Sequence, residues 1–575
     1  MADRWGVRDV TVAFGARVAL RNVTFEVSPG EMVAVVGGDG AGKSTLLRTI
    51  TGRVIPASGT VSAPDSTRIG YQAASSGAWG QLTVDENLDV VAGAYHLDPK
   101  PHRERADRLL EAAGLIDVRT RLAAQLSGGM RQKLGFCMAM LHSPALLVLD
   151  EPSTGVDPVS RVELWGLITE AAAGGAAVMI STTYLDEAER VHDVLVLDEG
   201  VVLLDGTPGT VIASAPGTVV SLATPTDPAH AWRRGRDWRQ WHAGPPIAGD
   251  DVVVPDMEDA VVSAAFNARA ADVLPPVPPA PTTTFPPVGT ELAAVSSVTK
   301  RFGHDAVVDD VSMQVHAGEI VGLIGANGAG KTTLIRIQLG LLLPTAGSVA
   351  LFGREPSRET RRRIGYVPQG LGLYRDLTVE ENVRFVASAY GRKPSMDEGL
   401  ALVANDLVGD IGLGRQRQLA FTCALSHEPE LLVLDEPTSG VDPISRARLW
   451  DTIHAQADAG AGVLVSTHYM QEAEQCDRLV LLDLGRVVAQ GTVADIVGST
   501  TAVRVVTEGW SVAFTALTAN DLPVALSGTE VRVADTEADV VLDLLRAAGI
   551  DAQLEVVPAT LEEKMTVITR SRETV

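Results

Sequence analysis

Nine residues from Gly325 to Thr333, Gly-Ala-Asn-Gly-Ala-Gly-Lys-Thr-Thr, set Gly325, Gly328 and Gly330 ahead of a lysine and two hydroxyls. They follow the apolar run Ile320 to Ile324 and lead into Leu334, Ile335 and Arg336. That order predicts a strand, a loop and a helix, which is the setting a phosphate loop needs. The glycines let successive backbone N–H groups turn inward around an anion, and the helix N-terminus adds partial positive charge behind them. Lys331 is placed to reach β- and γ-phosphates, and the Thr332 hydroxyl to bind Mg²⁺. A second loop of this kind, Gly-Gly-Asp-Gly-Ala-Gly-Lys-Ser-Thr from Gly37 to Thr45, follows the apolar run Met32 to Val36. It carries Gly37, Gly40, Gly42, Lys43, Ser44 and Thr45.

A second anchor also occurs twice. The apolar runs Leu146 to Leu149 and Leu431 to Leu434 end in Asp150-Glu151-Pro152 and Asp435-Glu436-Pro437. The interval from Lys43 to Lys331 is nearly that from Asp150 to Asp435, so the chain is one unit written twice. Alternating strands and helices in each copy predict an α/β fold with a parallel, helix-covered sheet. The expected organisation is a first nucleotide-binding domain over 1–215 and a second over 291–500. Small accessory domains are expected over 216–270 and 501–575, because Val252 to Asp259 (VVVPDMED) resembles Val556 to Glu563 (VVPATLEE). A Pro-rich linker is expected over 271–290. The segment Trp232, Arg233, Arg234, Arg236, Trp238, Arg239, Trp241 is expected to pack within the first tail through stacked Arg–Trp pairs.

Composition narrows the class. The 575 residues suffice for three or four domains, and 46% hydrophobic content supports large cores. Cys137, Cys423 and Cys476 have no paired or metal-ligand spacing, which points to a reduced compartment. No apolar run approaches the ~18 residues of a membrane span, and the N-terminus lacks a signal-peptide core. A cytoplasmic protein is expected, reaching a membrane only through a partner. The net charge of −24 disfavours extensive contact with nucleic acid, so none is expected as a partner.

The phosphate loops, Leu126-Ser127-Gly128-Gly129-Met130 and the Asp-Glu-Pro strands, in this order, resemble the nucleotide-binding domains of ATP-binding-cassette (ABC) proteins over nearly the whole chain. In that family two domains close head to tail, and each ATP lies between one domain's phosphate loop and the other's signature sequence. The resemblance implies ATP and Mg²⁺ as cofactors. Asp435 and Asp150 would present carboxylates to Mg²⁺, together with Thr332, Ser44 and Gln369 of the Q-loop (Tyr366-Val367-Pro368-Gln369). Glu436 suits a base or water-orienting role. His468 resembles the switch histidine that contacts the γ-phosphate. Phe302 and Phe14 resemble the aromatic that stacks on adenine, with core packing as the rival. Asn327, Thr333 and the glycines complete the second loop. Ser127, Gly128 and Gly129 would offer a hydroxyl and N–H groups to a γ-phosphate. Asp157 and Asp442, in the two Gly-Val-Asp-Pro sequences, resemble the loop linking the two sites.

The chain departs from the family in one pattern. The segment aligned with the first signature is Ile411-Gly412-Leu413-Gly414-Arg415, so the serine and one glycine are lost. In the first half Thr183 stands where the histidine is expected, and the Q-loop position falls on Ala74, with Gln72 two residues early. Asp39 stands at the place of Asn327. Under head-to-tail pairing these departures all fall at one composite site, that of Lys43 and Glu151. The other site combines Lys331, Thr332, Gln369, Asp435, Glu436 and His468 with Ser127 and Gly129. The expectation is one hydrolytic site and one degenerate site that mainly holds nucleotide.

The resemblance implies an ATPase subunit, peripheral on the cytoplasmic membrane face, energising a separately encoded permease. Leu82 to Asn87 and Leu377 to Asn382 (Leu-Thr-Val-x-Glu-Asn) resemble drug-resistance-type exporters, as do Val156 to Arg161 and Val441 to Arg446 (Val-Asp-Pro-x-Ser-Arg). Two alternatives remain open: an ABC-F-like ATPase acting on the ribosome, and the tandem ATPase of a sugar-type importer. Against the first stand a linker almost without charge and a lost signature. The second is set apart by its signature wording.

Overall fold

The computed structural model describes residues 4–573 except 16, 157, 236, 247, 248, 250, 269–284, 439, 440, 442, 468, 508, 521, 528 and 529. The expected linker therefore lies largely outside the described residues.

Each half is built on a six-stranded sheet. In the second half the strand order is Ile364–Val367, Leu431–Asp435, Gly462–Thr467, Ile320–Gly325, Arg478–Asp483, Arg486–Gly491. The first five strands run parallel and the last pairs antiparallel with its neighbour. Every residue of Leu431–Asp435, Gly462–Thr467 and Ile320–Gly325 is buried, which explains their unbroken apolar runs: helices cover both faces of a parallel sheet. The first half repeats this order with Ile69–Gln72, Leu146–Asp150, Ala177–Thr182, Met32–Val36, Asp193–Asp198 and Val201–Gly206. A three-stranded antiparallel sheet accompanies each, through Trp5–Phe14 in one and Glu291–Phe302 in the other. Strand-end carboxylates and phosphate loops thus emerge at the C-terminal edge of each parallel sheet, where open α/β sheets bind ligands.

The chain divides into two compact units that do not coincide with its two halves. The first nucleotide-binding half is joined by 255–268 and 499–571. Within that unit the helix Met257–Ala268 packs on Val201–Gly206 and Pro208–Ala213. The C-terminal segment forms a four-stranded sheet through Thr501–Val506, Val524–Ser527, Glu530–Ala534 and Gln553–Pro558. The second half is joined by 217–254, whose sheet runs through Thr218–Leu222, Ala231–Arg234, Asp237–His242 and Asp251–Val252. Accessory sheets are thus present where two tails were expected, but each belongs to the unit of the other half. Trp232 is buried and the Arg233 guanidinium lies 4.5 Å over the Trp238 ring, the stacking expected of that segment. Arg236 lies outside the described residues.

Candidate nucleotide site

In the second half the phosphate loop is shaped by close approach. A side chain at Gly325 would come 2.3 Å from the Leu482 carbonyl, and Gly330 caps the next helix at φ 100°, where a Cβ is strained. Lys331 begins the helix Lys331–Gln338 and is buried; its ammonium donates to the carbonyls of Gly325 (2.6 Å) and Ala326 (3.1 Å). Thr332 donates its hydroxyl to Asp435 Oδ1 at 3.3 Å, and Ser466 donates to the same oxygen at 2.6 Å. Asp435 Oδ2 is buried with no hydrogen-bond partner among the described residues. Burial pushes the Asp435 carboxyl up from its ordinary range, against the Ser466 and Thr332 hydrogen bonds that favour its charged form.

Such an oxygen, buried and beside a hydroxyl, has the chemistry of a divalent-cation ligand. Among the described residues no three His, Cys, Asp or Glu side chains form a metal cage. Mg²⁺ is held by one or two carboxylates plus substrate phosphates, and Asp435 with the Thr332 hydroxyl could supply the protein's share.

Glu436 follows at φ 51°, a conformation costly for a non-glycine residue. It is held by its N–H, which donates to the Ser466 carbonyl (3.1 Å) and hydroxyl (3.0 Å). Arg417 supports it from the far side by donating to the carbonyls of Glu436 (2.9 Å) and Pro437 (2.6 Å). Gln369 donates to Glu436 Oε2 at 3.0 Å, so the Q-loop residue and the acid meet. Phe302 ends its strand about half exposed, as does Phe14, with 51% and 55% of their surfaces open. Neither ring is buried in the core.

The first half retains this framework. Lys43 donates to the carbonyls of Gly37 (2.7 Å) and Gly38 (3.0 Å), and Ser44 and Ser181 donate to Asp150 Oδ1 at 3.0 and 2.7 Å. Glu151 sits at φ 48° and lies 3.2 Å from the Lys43 ammonium, and Thr154 donates to it at 3.2 Å. Strand register settles the Q-loop alignment. Ile69 pairs with Leu146 as Ile364 pairs with Leu431, so Gln72 occupies the place of Val367 and Ala74 that of Gln369. Gln72 is buried and donates to Gln132 Oε1 (2.6 Å) and its carbonyl (3.1 Å), so it braces a helix instead of replacing the lost glutamine. Thr183 is buried, Asn327 half-buried and Asp39 exposed. His468, Asp157 and Asp442 lie outside the described residues.

The signature segments start equivalent helices. Ser127 caps Gly128–Met140, accepting from the Met130 N–H at 3.2 Å. Gly412 occupies the same capping position of Leu413–Leu425 without a side-chain bond, and Leu413 and Gly414 form its first turn.

Sequence reasoning missed a buried carboxylate behind each switch position. Glu472 accepts from Thr467 at 2.6 Å and from Thr438, linking the residue before position 468 to the loop after Glu436. Burial raises its carboxyl to about 7. In the first half Glu187 accepts from Thr182 (2.6 Å) and the Trp165 indole (3.1 Å). The signal was present in the repeated Tyr-x-x-Glu that follows Ser-Thr.

Two phosphate loops, each backed by a strand-end Asp-Glu pair and a hydroxyl on its carboxylate, define a tandem P-loop nucleotide-binding ATPase. Comparison with known proteins narrows the class. The sequence profile described as ABC transporter matches residues 20–154 and 308–439. A relative from Escherichia coli (strain K12), named a probable multidrug ABC transporter ATP-binding protein (YbhF), is 36% identical over 519 residues, covering 82% of this chain and 89% of that protein. A putative ABC transporter ATP-binding protein of Streptomyces coelicolor is 32% identical over 541 residues, covering 85% and 94%. The chain belongs to the ABC transporter ATP-binding proteins. Among solved structures, the RNase-L inhibitor (TM-score 0.59, 16% identity) covers 94% of this chain and 99% of its own. The archaeal ribosome recycling factor aABCE1, solved with the stalk protein aP1 (TM-score 0.58, 17% identity), covers 94% and 98%. At that identity they share the tandem fold. Among the described residues no helix is long and apolar enough to cross a membrane.

Proposed function

We propose that this chain powers a separately encoded membrane permease, exporting drugs or other small molecules, from the cytoplasmic face. The observation that carries this reading is the match, along most of both chains, to a relative named as a multidrug transporter's ATP-binding protein. Closure of the two halves on ATP would drive the permease between its inward- and outward-open states, and hydrolysis would reset it.

The residues suit unequal roles. Lys331, Thr332, Gln369 and Asp435 would hold the phosphates and Mg²⁺ of a consensus site, with Phe302 under the base. Glu436 would orient or deprotonate the attacking water, and Ser127 and Gly129 would close that site from the first half. Lys43, Ser44 and Asp150 would hold a second nucleotide with Phe14, where Thr183, Ala74 and Gly412-Leu413-Gly414 lack the groups for rapid turnover. Bound Mg²⁺–ATP supplies the labile γ-phosphoryl bond and most of the positive charge that stabilises its transfer. Affinity purification of the tagged chain from detergent-solubilised membranes tests the reading. A stoichiometric multispanning protein is expected, whereas recovery of the chain with ribosomes overturns it.

A further inference from the structure

The accessory sheet after each nucleotide-binding half belongs to the unit of the other half, although Met257–Ala268 of the first tail returns to the unit of the first half, and two independent sets of bonds hold the sheets there. In the unit of the second half, Arg233 donates its N–H to Asp451 Oδ1 at 2.8 Å and its guanidinium to Asp458. Gly235 donates to Gln475 Oε1 at 2.7 Å, and Arg448 donates back to the Ala229 carbonyl at 2.7 Å. In the unit of the first half, Glu562 accepts from Arg190 at 2.8 Å and pairs with Arg161 at 3.5 Å. Both arginines are nearly buried and share a second carboxylate, Asp186. The Trp510 ring lies 5.6 Å from that of His192.

The two docks use corresponding elements. One is the helix after Gly-Val-Asp-Pro: Pro158–Ala173 carries Arg161, and Pro443–Asp458 carries Arg448, Asp451 and Asp458. The other is the turn three residues past the buried glutamate, where Arg190 matches Gln475. We propose that the accessory domains form a reciprocal clasp whose partner is the opposite half of the same chain, so the two halves stay paired when nucleotide is absent. Separation then requires two interfaces to open together, and each raises the effective concentration of the other. Removing one partner of the buried Arg161–Arg190–Glu562 cluster leaves the remaining charges uncompensated, which loosens that dock.

The test cuts the native protein. A protease recognition sequence is inserted within residues 269–284 of the full chain, the purified nucleotide-free protein is cleaved, and the fragments are followed by size exclusion with light scattering. The expected result is co-elution at the mass of one uncut chain. Fragments that elute apart overturn the clasp, and so does uncut chain with the mass of two copies, which would put the exchange between molecules. Glu562→Gln keeps the side-chain shape and removes the charge. In cleaved protein it is expected to speed exchange with labelled fragment by about tenfold; an unchanged exchange rate overturns the role of the Arg161–Arg190 dock. The readout needs neither ATP turnover nor a permease, so failure here is separable from failure of the transport reading.

Discussion

Replacing Glu436 by glutamine isolates the chemistry of the consensus site from its fold. The backbone that holds residue 436 at φ 51° is fixed by its own N–H to Ser466 and by Arg417 on its carbonyl, and none of these bonds uses the side chain. The side-chain bond from Gln369 at 3.0 Å changes from charge-assisted to neutral, a loss of about 1 kcal/mol. A positioned general base contributes about 10²- to 10⁴-fold, which is roughly 3–5 kcal/mol of barrier at 1.36 kcal/mol per tenfold. Chemistry therefore outweighs packing, and Glu436→Gln should lower kcat at least about hundredfold with little change in melting temperature. Glu151→Gln removes the partner of Lys43 at 3.2 Å in a site that lacks the Q-loop glutamine and the histidine. It should leave kcat within about threefold, under 1 kcal/mol of barrier. Steady-state phosphate release on both variants, with thermal melts as the control for folding, decides the matter. Equal losses from the two substitutions would refute the division of labour between the sites.

Three further outcomes follow from the same geometry. Phe302→Ala should raise the KM for ATP by about two- to tenfold, the value of one aromatic stack, while a ring this exposed leaves the melting temperature nearly unchanged; an unaltered KM removes it from the site. Ser127→Gly should cost only a few tenths of a kcal/mol as a helix cap, so a large fall in ATPase without a fall in stability would identify a catalytic use of the hydroxyl, and unchanged ATPase would deny it. Glu472 should make stability fall as pH rises: burial lifts its folded carboxyl to about 7 from an ordinary 4.5, so the native state holds the proton more tightly than the unfolded chain across that window. Melting curves of Glu472→Gln should lack this component, shifting in the variant's favour between pH 5 and 8; a parallel pH dependence in the two proteins would show that Glu472 does not titrate there.

The phosphate loops and Asp-Glu-Pro strands were legible because they are local. Each needs particular residue types at fixed spacing, and each recurs. Leu-Thr-Val-x-Glu-Asn was legible for another reason: Thr83 with Glu86, and Thr378 with Glu381, are capping boxes, while Asn87 and Asn382 bind the turn before the helix. What stayed hidden depends on distant partners. The stacking of Arg233 on Trp238 is a short-range property of the first tail, but its bonds to Asp451 and Asp458 join residues more than two hundred positions apart. Nothing local in a tail tells which copy of a duplicated fold it will pack on. Glu472 was overlooked for a similar reason. In a charged stretch it reads as a solvated residue, and only the fold places Thr438 and Thr467 over it.

The division between what the first half keeps and what it lacks bears on its role. Ser44, Ser181 and Asp150 hold distances close to those of Thr332, Ser466 and Asp435. Gly412 also keeps the extended capping conformation of Ser127, with φ −61° against −62°. The residues that shape a phosphate loop and steady its strand-end carboxylate are therefore present twice. Those that differ would act on the γ-phosphate itself: the histidine, the Q-loop glutamine and the signature hydroxyl. The buried Lys43 is compensated by Glu151 at 3.2 Å and by the Gly37 and Gly38 carbonyls, and the hydroxyl on Asp150 is in place, so the first half has the framework of a phosphate site without the groups that differ. On the proposed reading the first half would hold nucleotide and leave the bond-breaking step to the site built around Glu436.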